Sequence, residues 1–260
     1  VTADLPQPFD VKLMNATATA LFTVMGVMLV AALAWWAVRH PLFAISGISV
    51  QGEVAHNSAV TLRANVAPRL AGNFFTVDLI KAREAFEAVP WVRQATVRRE
   101  FPNRLRVLLQ EHRAAAFWGA ETESRMVNNF GEVFDANVGD VDQEELPRLS
   151  GPDDQAGQVL AMYYAIKPIF EPLDLAVERL ALTPRGSWQV ALDTGAVIEL
   201  GRGTTQEVTA RTQQFAQTLT QVTSRYGRRP DALVSADLRH GDGYAVKLRG
   251  VVTTSADVKK

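Results

Sequence analysis

Residues 90–107, "PWVRQATVRREFPNRLRV", carry five arginines against one glutamate, set among apolar residues that recur at every second position. Ala95 and Val97 fall on one side of that alternation, and Gln94, Thr96 and Arg98 on the other. After the turn residues "EFPN" the pattern resumes, with Leu105, Val107 and Leu109 on the first side and Arg104 and Arg106 on the second. This is the pattern of a hairpin with one dry face. The rival reading is a basic ribbon for single-stranded nucleic acid, which needs exposed rings on which bases stack. Trp91 and Phe101 are instead placed to pack against Phe86 and Leu105 as framework, leaving the arginines outside alone.

Working towards the N-terminus, "VDLIKAREAFEAVP" (77–90) places Leu79, Ala82, Phe86 and Val89 on one helical face, with Asp78 as cap and Pro90 as stop. "SAVTLRANVAPRL" (58–70) repeats Leu62, Val66 and Leu70 four apart, a second short helix. "HPLFAISGISVQG" (40–52) alternates Ile48 and Val50 with small residues up to Gly52, a strand. Strand, two helices and two strands over residues 42–112 make a small α+β domain with a core of its own.

Towards the C-terminus a second α+β unit is expected over 120–250, built on a mostly antiparallel sheet. "RMVNNFGEVFDAN" (125–137) reads as two strands about a turn, and "DDQAGQVLAMYYAI" (153–166) as a helix broken near Pro168. "AVERLALT", "SWQVALD" and "AVIELG" form a meander, followed by a helix at 204–222 in which Thr204 and Glu207 fit a capping box. "ALVSADL" and "YAVKLR" are the last strands, before a polar tail, 251–260, expected to be disordered.

Before all of this, residues 13–38 form an uncharged run of 26 residues closed by Trp35 and Trp36. A helix needs roughly 20 apolar residues to cross a bilayer, and tryptophans suit its interface. The run is read as a span over 15–38 behind a short tail, 1–14. A cleaved signal peptide has a shorter apolar core, and a buried helix of a soluble domain would not be apolar on every face. Charge does not orient the span: Lys12 precedes it and Arg39 follows, so there is little for the positive-inside rule to compare.

Composition narrows the function classes. With 27 basic and 28 acidic residues the 260-residue chain has a net charge of −1, unlike a dedicated polyanion binder. The absence of cysteine removes disulfides, thiolate metal sites and any cysteine nucleophile. "DTG" (193–195) matches the aspartic protease tripeptide, but it lies between two alternating strands and suits a tight turn. The four histidines, at 40, 56, 112 and 240, have no metal-ligand spacing, and "GRG" (201–203) lacks the setting of a dinucleotide loop. No cofactor and no catalytic residue is expected, and no nucleic acid.

Taken in order, "FAISGISVQG", "GNFFTVDL", "VPWVRQATVRREFPNRLRVLLQEHRAAAFW", "VNNFGEVF", "LPRLSGP", "SWQVALDTGAVIELGR" and "ADLRHGDGYAVKL" behind one membrane span closely resemble the FtsQ/DivIB family of bacterial cell-division proteins. The resemblance implies a POTRA domain at 42–112 and a family-specific β domain at 120–250. It also implies an inner-membrane protein with a cytoplasmic N-terminus and periplasmic domains, acting at the division septum. Its implied role is a non-catalytic scaffold that binds FtsB and FtsL and links early cytoplasmic division proteins to late peptidoglycan synthesis. The alternative class is a POTRA-bearing polypeptide transport or outer-membrane assembly component, which usually precedes a membrane barrel; no such series of strands follows here.

By the same resemblance the FtsB contact is expected at Arg239, His240, Gly243, Tyr244 and Val246, with Arg185, Ser187 and Trp188 on adjoining strands. If the last strand lies at the sheet edge, its unpaired N–H and C=O groups can take up a strand from a partner. For Val246 the plain alternative is core packing. Family members commonly have "DLRY" where this chain has "DLRH", so His240 brings an ionisable ring to the contact. Arg98, Arg104 and Arg106 are a possible second contact for an acidic division partner.

Overall fold

The computed structural model of the chain describes residues 9–52, 55–141, 146–240 and 243–251. The expected tails at 1–14 and 251–260 fall largely outside the described residues. Two compact units follow one another, divided between Glu111 and His112.

The first unit opens with α1 (Phe9–Arg39), which begins ahead of the expected span and is long and apolar enough to cross a membrane. The strand expected from residue 40 starts only at Gly47. Pro41–Phe43 form a 3₁₀ turn instead, since Pro41 is preset for a first helical position and His40 Nδ1 accepts the Leu42 N–H at 3.3 Å. After it come β1 (Gly47–Gly52), α2 (Ala59–Val66), α3 (Leu79–Glu87), β2 (Val92–Glu100) and β3 (Arg104–Glu111). Asp78 caps α3 as expected, accepting the N–H groups of Ile80 and Lys81. β3 is the central strand, antiparallel to β2 and parallel to β1. Its alternate residues Leu105, Val107 and Leu109 are buried, and Val107 and Leu109 join Ile48, Leu62, Val66 and Phe86 in one core.

The opening hairpin is as the alternation predicts, with one correction. Trp91 is buried and stacks on His56, but Phe101 is 76% exposed. Phe101 lies beyond the last ladder pair, Glu100 with Arg104, so no pleat turns its ring into the core.

Among the described residues the second unit is a nine-stranded sheet with two α-helices. Its strands are β4 (Ala114–Trp118), β5 (Arg125–Asn128), β6 (Val133–Asp135), β7 (Arg148–Ser150), β8 (Val177–Leu182), β9 (Trp188–Leu192), β10 (Val197–Gly201), β11 (Leu233–Asp237) and β12 (Ala245–Leu248). Their order is β12-β11-β10-β9-β8-β7-β4-β5-β6, with antiparallel pairs except β4 with β7, β7 with β8, and β10 with β11. The helices are α4 (Ala156–Phe170) and α5 (Thr205–Arg225). From α4, Val159, Ile166 and Phe170, and from α5, Val208, Phe215 and Leu219, enter one core with Leu180, Val190 and Ile198 of the sheet.

α4 was expected to break near Pro168, yet it runs on to Phe170. A proline in the last turn loses one N–H bond at a helix end that is about to stop in any case. The capping box of α5 is present: Glu207 N–H donates to the Thr204 hydroxyl and Thr204 N–H to the Glu207 carboxylate at 2.8 Å. "DTG" makes the β9–β10 turn, where Gly195 adopts φ 81° and donates its N–H to Leu192 at 2.9 Å.

Candidate partner-binding site

β12 is the outermost strand of the large sheet and pairs on one side with β11. The N–H of Arg249 bonds the Ala232 carbonyl at 2.8 Å, so that amide points inward. Successive strand amides alternate in direction, which turns the N–H groups of Leu248 and Val246 to the open edge. These are donors that a further strand can satisfy.

The pleat separates the side chains. Tyr244, Val246 and Leu248 lean towards the core, where Leu248 is buried and the other two are half-buried. Tyr244 meets Phe215 of α5 edge-on at 5.0 Å, and its hydroxyl hydrogen-bonds the Thr218 hydroxyl. It braces the edge strand against α5 and shows only part of its ring. Ala245 and Lys247 are exposed on the opposite face.

Arg239 lies two residues beyond the end of β11. Its guanidinium donates to both carboxylate oxygens of Asp237, at 2.9 and 2.6 Å, and its backbone N–H donates to the same group at 3.0 Å. Those bonds, the guanidinium first, hold the Asp237 carboxyl at about 2. Asp237 in turn fixes the rotamer of Arg239 at the end of the strand.

Arg239, Arg185 and Ser187 line a cavity of about 550 Å³ with Arg202, Arg211 and Glu199. Arg211 is committed to structure, donating to the Leu200 carbonyl and, at 3.1 Å, to that of Arg202. Glu199 accepts from Gln189 at 2.6 Å. Arg185 and Arg202 are exposed and carry the positive charge of this flank, whereas the charge of Arg239 is balanced by Asp237. His240, Gly243 and Tyr244 line an adjoining cavity of about 390 Å³ against α5, with Arg211 in both.

Trp188 does not belong to this surface. It is 1% exposed and sits in the sheet's core, because the alternation of β9 turns Trp188, Val190 and Leu192 inward together. Arg202 and Arg211 were not singled out from sequence; a "GR" turn followed by an arginine one helical face later was the available signal.

The arginine face of the first unit is less basic than its sequence. Arg98, Arg104 and Arg106 are all exposed, but Arg106 is ion-paired with Glu100 across the hairpin. Arg99 is turned to structure, donating to the carbonyls of Phe74 at 2.7 Å and Val77 at 2.8 Å.

Two family models match the chain. Residues 43–112 match "POTRA domain, FtsQ-type", and residues 116–239 match "Cell division protein FtsQ/DivIB, C-terminal". Among curated relatives, the cell division protein FtsQ of Burkholderia pseudomallei is 39% identical over 243 residues, 93% of this chain and 94% of the relative. That of Bordetella pertussis is 39% identical over 92% of both chains, and that of Xanthomonas campestris pv. campestris 37% identical over 91% of this chain and 82% of the relative.

Proposed function

Given that the chain belongs to the FtsQ/DivIB family of cell-division proteins, we propose that it is a non-catalytic divisome scaffold whose β12 edge takes up a strand from FtsB. α1 fits a single-pass membrane anchor, and in this reading it spans the inner membrane with the N-terminus cytoplasmic and both folded units periplasmic. There the protein binds FtsB and FtsL at the septum and links early cytoplasmic division proteins with late septal peptidoglycan synthesis.

The observation that supports strand addition is that β12 is the outermost strand among the described residues, where the alternation of strand amides turns those of Val246 and Leu248 away from β11. Main-chain bonds along that edge supply affinity, while Arg185 and Arg202 select an acidic segment. His240, Gly243 and Tyr244 extend the contact towards α5. Arg98 and Arg104 form a second, weaker candidate contact, with Arg106 partly neutralised by Glu100.

The test is capture of the periplasmic segments of FtsB and FtsL by the detergent-solubilised chain. Val246→Pro removes an outward donor and leaves the β11 ladder in place, so FtsB binding falls about fivefold, the worth of one hydrogen bond. Val246→Ala keeps the amide and most of the binding. Unchanged capture by a folded Val246→Pro protein would exclude strand addition here, and no capture by the wild type would remove the partner assignment.

A further inference from the structure

We propose that the first folded unit docks on the lipid surface through Leu42, Phe75 and Phe101, an inference that rests on reading α1 as the membrane span. The three side chains are 67%, 48% and 76% exposed. They come from three separate segments, which a run of contacts ties to the end of the span.

That run begins at Trp36, whose ring meets His40 edge-on at 4.8 Å, while Arg39 sits 3.9 Å over the ring of Trp35. Indole rings and a capping cation at a helix end mark the level of the headgroups. The His40 carbonyl accepts the Phe43 N–H at 3.0 Å, and the Phe43 carbonyl accepts that of Phe74 at 2.8 Å. Ring contacts continue from Phe43 to Phe75 at 4.8 Å, from Phe75 to Phe74 at 5.3 Å and from Phe74 to Phe101 at 6.1 Å. The turn holding Phe101 is tied back a second time, since Ser46 donates to the Asn103 carbonyl at 2.9 Å and Asn103 Nδ2 to that of Leu42 at 3.4 Å.

Chain continuity selects the occupant. A patch held within a few hydrogen bonds of the span's last turn is carried to the bilayer whatever else is present, and aromatic rings partition favourably into its interface. This accounts for Phe101, which points away from the core of its own hairpin. Docking at this patch restricts how far the unit can tilt from the membrane.

The absence of cysteine in the chain makes the test direct. Phe101→Cys and Phe75→Cys, each spin-labelled, are reconstituted as the full chain in vesicles of phosphatidylethanolamine and phosphatidylglycerol without other protein. Accessibility to oxygen in the lipid phase and to an aqueous nickel chelate is then compared with a label at Gln214→Cys on α5 and one at Val27→Cys within α1. Oxygen accessibility at 75 and 101 severalfold above that at 214, with matching protection from nickel, is expected. Water-like values at 75 and 101 alongside an immersed label at 27 overturn the docking while leaving the span intact. A water-exposed label at 27 overturns the span itself, and spin–spin broadening at 101 would assign the patch to a second copy of the chain.

Discussion

The carboxylate of Glu111, buried at the end of β3, accepts the backbone N–H groups of Ala55, His56 and Asn57 at 2.9, 3.0 and 3.1 Å, and Asn57 Nδ2 at 3.2 Å. His56, held this way, stacks on Trp91 with ring centroids 3.9 Å apart. One acidic side chain therefore closes the loop between β1 and α2 onto the hairpin. Glu111→Ala leaves several amides without acceptors and lowers the stability of this unit by roughly 3 kcal/mol, read from urea unfolding. Asp237 offers a different readout. Its carboxyl is depressed, so the stabilisation from Arg239 is fully present above the ordinary Asp range near 4 and is lost as pH falls towards about 2. NMR titration should place Asp237 at about 2 in the wild type and higher in Arg239→Ala, which loses both guanidinium bonds but keeps the backbone N–H that still favours the ionised carboxylate. An unshifted Asp237 in that variant would mean that other groups hold it.

β12 shows how an element's role depends on its neighbours more than on its residues. "YAVKLR" has the alternation of any half-buried strand, and the pairing of β11 with β10 on one side and β12 on the other leaves β12 outermost. The half-burial of Val246 follows from the pleat and makes its side chain packing, so what the edge offers a partner is chiefly backbone. α5 stands behind that edge through Phe215 and Thr218, so its integrity matters to the site. Thr204→Ala removes the hydroxyl that accepts from Glu207 and breaks the capping box. A loss of about 1 kcal/mol in thermal or urea unfolding is expected, with Thr204→Ser close to wild type.

At the scale of the whole molecule, the two units have separate cores, one built on β3 and one on the large sheet. The second sheet recruits β4, residues 114–118, which lies between β7 and β5 in the sheet's interior. Its Trp118 is fully buried and donates from Nε1 to Asp153 at 2.7 Å. A fragment starting at residue 112 should fold with native near-UV circular dichroism, and one starting at residue 120 should not, because removing an interior strand exposes two unpaired ladders. The bare sequence "AAAFW" has no alternation to announce that strand. The anchor helix, the β-α-α-β-β order, the dry face of the hairpin, the Asp78 cap and the Thr204–Glu207 box were all legible, since each depends on residues within a turn or two of one another. Of the candidate site, Arg239, Arg185 and Ser187 were expected from family resemblance and line one cavity, while Trp188 lies in the core and Arg211 is spent on carbonyls. Sequence alone determined the long apolar helix, the main helices, most strands and the two caps, because period and capping are short-range physics, whereas β4 and β7 carry no such signal. Only the tertiary structure decided that β3 is central and that β12 is outermost, because each follows from pairing between segments far apart in the chain, and it placed Phe101 outside the hairpin ladder, at a turn where no pleat directs its ring.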